Sequence, residues 1–324
     1  MAKQFISQLG SDESVDDVFL AGDKQLRTNR NGGQFIQVEL SDRSGTLPAR
    51  MWNATERSFH SFDDGDFVQV RGNTQIYQGA MQMIATHIAR VDPAEVDAAD
   101  FVEHTPFAID DLIAEMTEMV AAIDDDELRA IGQSVLADDV LMAKLRRAPA
   151  GIKHHHAYEG GLLEHVVSLM RLVRVVAPSY PQVDADMVVL GALLHDLGKV
   201  DELSYDRGYA YTDEGQLLGH VTIVISMVDH MLASVSATRG QPVEAEKVLR
   251  LKHVILSHHG RYEFGSPKLP MTLEAVMLHS LDNMDAQIHG FDGLMRAEAS
   301  VEGNWTQYHH NLGRKLFKGG GGAS

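Results

Sequence analysis

The stretch Gly191-Ala-Leu-Leu-His-Asp-Leu-Gly-Lys199 decides the fold of the second half of the chain. It is an apolar helical run that ends in an adjacent His195–Asp196 pair, a glycine and a lysine. Burying two ionisable side chains at the end of an apolar helix is costly unless they bind something. Imidazole and carboxylate together suit zinc, manganese, iron or cobalt, and a carboxylate can bridge two ions. The stretch therefore indicates part of a metal site whose other ligands lie elsewhere in the chain.

Histidine and aspartate recur at the ends and on the faces of other apolar segments. His165 shares a helical stripe with Leu162 and Leu169, which predicts that it points into the core. A single histidine in such a place is more often a satisfied core residue than a ligand, but burying many unpaired ionisable groups would cost several kcal/mol each. The chain therefore predicts a metal site, and its further candidates follow in the order His220, His258, His259 and Asp282.

The order of these residues resembles the HD-domain superfamily of metal-dependent phosphohydrolases. A closer resemblance is carried by three motifs: His154-His-His-Ala-Tyr-Glu-Gly-Gly-Leu-Leu-Glu-His165, His195-Asp-Leu-Gly-Lys199 and His258-His-Gly-Arg-Tyr-Glu-Phe-Gly-Ser-Pro267. These motifs resemble the YhaM family of 3′→5′ exoribonucleases, in which an N-terminal OB-fold is joined to a C-terminal HD domain. The resemblance covers nearly the whole chain.

The resemblance implies a ligand set. One metal is expected at His165, His195, Asp196 and Asp282, and Asp196 is expected to bridge to a second metal at His220, His258 and His259. Two ions lower the pKa of a bridging water and clamp the attacking and leaving oxygens, so the nucleophile is metal-activated hydroxide. The alternative is a single ion on the first set alone. Manganese is the metal implied by the resemblance and the ligand types, and zinc, iron, cobalt and magnesium stay open.

Other residues of the motifs are candidates for contact with substrate. Lys199 follows the HD pair by one turn and is predicted to act on the substrate phosphate, or else to be a solvated lysine. The remaining candidate donors to phosphate or ribose are His155, His156, Arg261 and Ser266, with ordinary surface histidines as the alternative for the first two. Asp285 lies on the same helix face as Asp282 and either orients a ligand or forms a local salt bridge.

The first part of the chain, from Val15 to Val91, has the alternating pattern of β-strands. Five short strands with a helical piece between the third and fourth predict an OB-fold, a small barrel often used on single-stranded nucleic acid. One set of side chains is predicted to fill the barrel: Ile36, Val38, Leu47, Ala49, Met51, Val68 and Val70. The opposite face carries a predicted stacking platform of Phe35, Arg50, Trp52, Phe67 and Arg71, although the aromatic residues can instead cover the barrel rim or pack on the second domain.

These patterns predict a multidomain protein in which a small all-β OB-fold barrel precedes a mostly all-α HD domain. The expected divisions are residues 1–92 for the OB-fold, 93–107 for an acidic linker, 108–318 for the HD domain and 319–324 for a disordered tail. Trp305 to Lys318 is predicted to be helical and basic. The chain has no cysteine, which excludes disulfides and thiolate-bound metal. We expect no membrane-spanning stretch and a cytoplasmic location.

The predicted function is a metal-dependent phosphodiesterase that degrades single-stranded RNA from the 3′ end to nucleoside 5′-monophosphates. Single-stranded DNA stays open as a further substrate. The formal charge of −18 argues against tight binding to long duplexes. One alternative keeps the site but changes the substrate to a mononucleotide or cyclic dinucleotide. The other is a nucleic-acid-binding protein with a non-catalytic HD site. A homo-oligomer is compatible with the sequence.

Overall fold

The computed structural model describes residues 3–29, 32–77, 80–97, 100–101, 105–152, 158–205, 210–298 and 303–319. The chain divides into two compact units. One consists of Met1–Glu103 together with Leu294–Ser324, and the other is His104–Gly293. The sequence predicts that the helical domain extends to residue 318. In the structure, Leu294–Ser324 instead belong to the compact unit that contains the barrel.

The first unit contains a closed barrel of five strands in the order β1-β2-β3-β5-β4. The strands are β1 (Ser14–Thr28), β2 (Gln34–Asp42), β3 (Gly45–Trp52), β4 (Phe67–Tyr77) and β5 (Ala80–Arg90), and helix α1 (Glu56–Phe59) lies between the third and fourth. β3 and β5 pair in parallel, which closes the sheet without free edges. The predicted interior is confirmed, because every residue of that set is buried except Met51, which is half-buried against the barrel core.

The second unit is helical around one contiguous core. Its elements are α2 (Ile109–Ala121), α3 (Asp126–Leu136), α4 (Asp139–Leu145), α5 (Gly161–Val176), α6 (Ala185–Leu194), α7 (Lys199–Glu202), β6 (Leu203–Ser204), β7 (Ala210–Tyr211), α8 (Asp213–Arg239), α9 (Ala245–Ser257) and all but the last turn of α10 (Leu273–Ala297). Helix α6 is buried on all sides from Met187 to Leu194. An all-round apolar helix belongs at the centre of a bundle, and α5, α9, α3 and α2 pack against it. The fold therefore holds the end of α6 deep inside the unit.

Helix α8 is long and apolar enough to cross a membrane by length and composition, since an 18-residue window reaches a mean hydropathy of 1.5. The expectation that no stretch passes this test is wrong. The same test is passed by core helices of globular proteins, and α8 buries Val224 and Val228 in the helical core. It is also broken at Gly219, whose φ of 71° is not helical.

The prediction of a helix from Trp305 to Lys318 is also wrong. The structure pairs Trp305 with Phe317 and His309 with Arg314 as antiparallel β-bridges. The chain reverses at Gly313, where the left-handed φ of 64° suits glycine. This stretch is therefore an irregular hairpin.

Candidate metal centre

The end of α6 delivers His195 and Asp196 to the interior of the helical unit. His195 is fully buried and Asp196 is 4% exposed. Asp184 caps the start of the helix, and its side chain accepts a hydrogen bond from the backbone N–H of Met187. Because the helix ends at this pair, the apolar side chains before it need no polar partners, and its C-terminal end presents two side chains that can bind a metal.

Two other helices bring ligands to one side of this pair. His165 of α5 places its Nε2 3.3 Å from Nε2 of His195. The same His165 nitrogen lies 3.2 Å from Oδ1 of Asp282, which α10 contributes. Oδ2 of Asp196 completes the group at 3.4 Å from the His195 Nε2. Residues from three separate helices thus converge within coordination range of one point.

The other carboxylate oxygen of Asp196 faces a second group of histidines. Its Oδ1 lies 3.4 Å from Nε2 of His220 and 3.6 Å from Nε2 of His258. His259 follows His258 in the turn after α9, and the two rings are 4.1 Å apart. In the described part of the chain, donor atoms of Asp196 and these three histidines all lie within 4.8 Å of one another, as do those of His165, His195 and Asp196. Asp196 is common to both clusters, which is the placement a bridging carboxylate needs.

The hydrogen bonding of these atoms shows that the cluster fits a metal. Asp196 Oδ1, His220 Nε2, His258 Nε2 and His259 Nδ1 are buried, and none of them has a hydrogen-bond partner among the described residues. A buried polar atom without a partner costs roughly 1–3 kcal/mol. Four such atoms in one cluster are explained if all of them bind a cation, and imidazole with carboxylate suits divalent transition metals.

Backbone carbonyls set the orientation of two imidazole rings. Nδ1 of His195 lies 2.9 Å from the carbonyl oxygen of Ala192, and Nδ1 of His258 lies 2.6 Å from that of Ile255. A carbonyl accepts and does not donate, so the proton of each neutral ring is on Nδ1. The Nε2 lone pair of each ring is therefore left to face the centre.

Carboxylates orient two further rings. Nδ1 of His165 donates to Asp285 at 2.9 Å, and Asp285 also accepts from the hydroxyl of Ser168 at 3.1 Å. This contact agrees with the ligand-orienting interpretation of Asp285, and Oδ1 of the same residue also lies 3.6 Å from Nδ1 of His289 on α10. Nδ1 of His220 lies 3.1 Å from Oε1 of Glu202, which also accepts from the backbone N–H of His220 at 2.9 Å.

The interpretation of the sequence missed two supporting residues. Glu202 is buried at the end of α7, and His279 of α10 donates from Nδ1 to the carbonyl oxygen of His258 at 2.8 Å. Glu202 follows the Gly198–Lys199 pair by one turn, and this proximity is the only signal in the sequence that could have found it. Nothing local marks His279, because its partner is 21 residues away.

The turn after the HD pair approaches α8 closely. A Cβ atom on Gly198 would lie 2.2 Å from the carbonyl oxygen of His220, a distance that no real Cβ contact shows. Glycine at this position therefore lets the turn that carries Asp196 lie against the helix that carries His220. The close approach holds the two ligands at their short separation.

Both carboxylates of the centre are held ionised. Burial alone would raise the pKa of Asp196, but the positive charge of Lys199 and the contact with the His195 ring lower it well below its ordinary value. Burial would likewise raise the pKa of Asp282, and the hydrogen bond from His165 lowers it. Ionised carboxylates are the form that binds cations.

The imidazoles fall into two classes. Burial lowers the pKa of His258 and His259, so both rings are neutral and able to act as ligands at neutral pH. Burial also acts to lower the pKa of His165, but its hydrogen bonds to Asp282 and Asp285 outweigh this and raise the pKa to about 10. The carboxylates around His165 thus attract positive charge to this side of the centre.

Comparisons with known proteins agree with this geometry. Residues 20–91 match the profile of the OB-fold nucleic acid binding domain, and residues 162–287 match that of the HD domain. The 3′-5′ exoribonuclease YhaM of Listeria innocua is 36% identical over 288 residues, which cover 88% of each chain. The enzyme of the same name from Bacillus subtilis is 34% identical over 306 residues, which cover 94% of each chain. This chain belongs to the YhaM family.

One solved structure matches at a lower level. The second OB-fold domain of replication protein A from Methanococcus maripaludis covers 29% of this chain and 99% of its own, at 19% identity and a TM-score of 0.24. A score this low supports no conclusion about this chain.

The substrate-contact candidates of this YhaM-family chain differ in their placement. Lys199 lies in the centre, with its Nζ 2.7 Å from Oδ2 of Asp196. Arg261 is exposed, and its guanidinium lies 5.7 Å from the centre of the Phe264 ring. Ser266 is buried and its hydroxyl donates to the carbonyl oxygen of Lys268 at 2.6 Å, so this side chain supports its own loop. His155 and His156 lie outside the described residues.

The five residues predicted to form a stacking platform on the outer face of the barrel differ in their surroundings. Phe35 and Trp52 are cross-strand neighbours whose ring centres are 4.8 Å apart, and Trp52 is 42% exposed. Phe67 instead packs against Phe101, with ring centres 4.8 Å apart, which agrees with the rim-covering alternative for this residue. The remaining two are basic: Arg71 pairs with Asp16 at 3.0 Å, and Arg50 lies 5.7 Å from the Tyr77 ring.

Proposed function

We propose that this protein is a metal-dependent 3′–5′ exoribonuclease that removes nucleotides from the 3′ end of single-stranded RNA and releases nucleoside 5′-monophosphates. The observation that carries the proposal is the cluster of four buried ligand atoms centred on Asp196, which have no hydrogen-bond partners in the described part of the chain. Two relatives that each cover most of this chain are named 3′-5′ exoribonuclease, which supports RNA as the substrate.

Two divalent ions fit the ligand arrangement better than one. Asp196 presents Oδ2 to the side of His165 and His195, and Oδ1 to the side of His220 and His258. A carboxylate that addresses two ligand groups with separate oxygens is suited to bridge two ions. Sets that combine imidazole with carboxylate suit manganese, iron, cobalt or zinc, and we propose manganese.

Bound divalent ions supply a water of lowered pKa and positive charge near the phosphate in phosphodiester hydrolysis. The residues of this chain do the remaining work. Asp196 and Asp282 hold the negative charge that retains the cations, and the hydrogen bonds that Nδ1 donates to backbone carbonyl oxygens keep Nε2 of His195 and His258 aimed inward. The raised pKa of Lys199, which burial opposes and Asp196 favours, keeps its ammonium protonated. This ammonium can stabilise charge that develops on the phosphoryl oxygens.

The barrel supports a single-stranded substrate. Phe35 and Trp52 form an aromatic pair on its outer face, and aromatic rings bind unpaired bases by stacking. Arg50 lies two residues before Trp52 along β3, on the same face of the strand, and supplies positive charge there. Bases in a duplex are already stacked on one another, so such a face favours single strands.

The experiment is a nuclease assay on 5′-labelled single-stranded RNA with metal-depleted protein, to which Mn²⁺ is added back. We expect a descending ladder that depends on Mn²⁺ and is absent in the double variant His195→Ala/Asp196→Ala. The matched control is Asp229→Ala/His230→Ala, which removes an exposed aspartate–histidine pair of α8. The control variant should retain the ladder.

Two outcomes contradict the proposal. A ladder that survives in His195→Ala/Asp196→Ala would place catalysis elsewhere. RNA binding without cleavage under every divalent metal would favour a binding protein with a non-catalytic HD site.

A further inference from the structure

The C-terminal hairpin, defined as residues 304–318, is an ordered surface that the metal centre does not use. Three backbone hydrogen bonds join its two limbs. The N–H of Lys318 donates to the carbonyl of Asn304 at 2.8 Å, that of Thr306 to Leu316 at 2.9 Å, and that of His309 to Arg314 at 3.0 Å. The hairpin belongs to the same compact unit as the barrel.

The two faces of the hairpin differ in burial. Thr306 and Leu316 are 1% and 6% exposed, whereas Trp305 is 52% and Phe317 is 56% exposed. Residues directly opposite each other in an antiparallel pair lie on the same face, and Trp305 is opposite Phe317. Their ring centres are 5.0 Å apart at an angle of 59°. The hairpin therefore holds two large aromatic rings together at its surface.

The charge of the hairpin is opposite to that of the protein. Residues 303–319 contain Arg314, Lys315 and Lys318 and no aspartate or glutamate, although the chain as a whole carries a formal charge of −18. Arg314 and Lys315 are exposed. A local excess of basic residues next to exposed aromatic rings is the combination that binds single-stranded nucleic acid.

We propose that the C-terminal hairpin is a second binding surface for single-stranded RNA, in which Trp305 and Phe317 stack on bases and Arg314 and Lys315 contact phosphates. It uses residues other than the aromatic pair of the barrel, and it rests on the proposed function in that RNA is taken as the ligand. An acidic protein needs local positive charge to retain a polyanion during repeated cleavage. The hairpin supplies this charge with residues that follow all the proposed metal ligands along the chain.

The test measures binding of a fluorescent oligouridine by anisotropy, with the full chain carrying His195→Ala/Asp196→Ala to prevent cleavage. The variant Trp305→Leu/Phe317→Leu keeps an apolar cross-strand pair but removes both aromatic faces. We expect its affinity to fall at least about fivefold, since stacking on one aromatic side chain contributes at least that much. The matched control is Tyr180→Leu, which removes an exposed aromatic ring from the helical unit and should leave affinity unchanged.

A second variant tests the charge without touching the aromatic pair. Lys315→Glu should weaken binding and reduce the slope of log affinity against log salt by about 0.7, the contribution of one phosphate contact to a single strand. Arg174→Glu makes the same change of charge at an exposed position of α5 and should leave the slope unaltered.

Unchanged affinity in Trp305→Leu/Phe317→Leu would overturn the proposal, because the rings would then only hold the hairpin together. A change of oligomeric mass by light scattering, with affinity unaltered, would overturn it in favour of a contact between copies of the chain. Failure of the proposed function is a separate result, since it is the absence of a metal-dependent ladder from the unsubstituted protein.

Discussion

Glu202 offers a test of how the centre holds its metal. Its Oε1 accepts hydrogen bonds from the backbone N–H of His220 at 2.9 Å and from Nδ1 of the same residue at 3.1 Å. The carboxylate therefore fixes the ring that presents Nε2 to the cluster, and its charge makes that nitrogen a stronger ligand. Glu202→Gln keeps an acceptor atom but removes the charge, and Glu202→Ala removes both.

Loss of a carboxylate that supports a ligating histidine typically costs 10- to 100-fold in metal affinity, or about 1.4–2.7 kcal/mol. We expect Glu202→Gln to lie near the lower value and Glu202→Ala near the upper one. The assay is calorimetric titration of the metal-stripped protein with Mn²⁺. Activity on labelled RNA should recover in part at high Mn²⁺, because none of the ligands themselves has been changed.

The control for this experiment is Glu274→Gln. Glu274 is another buried glutamate, and it accepts from the backbone N–H of Asp184 at 3.1 Å and pairs with Arg250 at 3.0 Å. Removing its charge should lower the free energy of unfolding by about 1–3 kcal/mol without changing Mn²⁺ affinity. If Glu202→Gln bound Mn²⁺ as tightly as the unsubstituted protein, the orienting role of Glu202 would be refuted.

Two further predictions concern the turn after α9 and a surface ion pair. Gly260 has a left-handed φ of 74°, and a Cβ there would lie 2.1 Å from the His279 ring, so Gly260→Ala should weaken Mn²⁺ binding and RNA cleavage. Gly265 has a φ of 80° with open space around it, so Gly265→Ala should add only about 1–2 kcal/mol of backbone strain. Titration with Mn²⁺ and nuclease assays on both variants check this, and equal effects of the two substitutions would contradict it. Burial would raise the pKa of Asp125, but Lys247 and backbone N–H groups lower this pKa below its ordinary value of 3.8. The ionised carboxylate therefore stabilises the fold fully above pH 3.8, and this stabilisation is lost as the pH falls through the lowered pKa. Lys247→Met should therefore cost up to about 1 kcal/mol at neutral pH and progressively less in acid, as measured by urea unfolding followed by circular dichroism; a cost independent of pH would show that this pair does not act through charge.

The hairpin at the end of the chain shows where periodicity misleads. Trp305, Tyr308, Leu312 and Leu316 recur at intervals of three and four, which is the spacing of an amphipathic helix. The structure nevertheless pairs the two halves of this stretch, because Gly313 allows the reversal and Thr306 and Leu316 are buried across it. Local spacing cannot distinguish a helix from a short hairpin when the stretch also contains a turn residue.

The contacts that support the metal ligands could not be predicted from local sequence patterns for a related reason. Asp285 contacts His165 across 120 residues, and His279 contacts His258 across 21. Such pairs exist only once helices from distant parts of the chain have packed around α6. The burial of the four unpaired ligand atoms, which makes the strongest case for a metal, is likewise a property of packing alone.

The sequence by itself determined the chemistry of this protein and the order of its parts. The residue types that bind divalent cations, the apolar runs that carry them and the alternation of the barrel strands are local properties that can be read along the chain. Only the tertiary structure decided that Asp196 divides its two oxygens between two groups of histidines, that Glu202 holds one of those rings and that the last residues form an aromatic hairpin. The physical reason is that donor identity and periodicity depend on the side chains of each segment, whereas distance, burial and unpaired hydrogen-bonding capacity depend on which segments pack together.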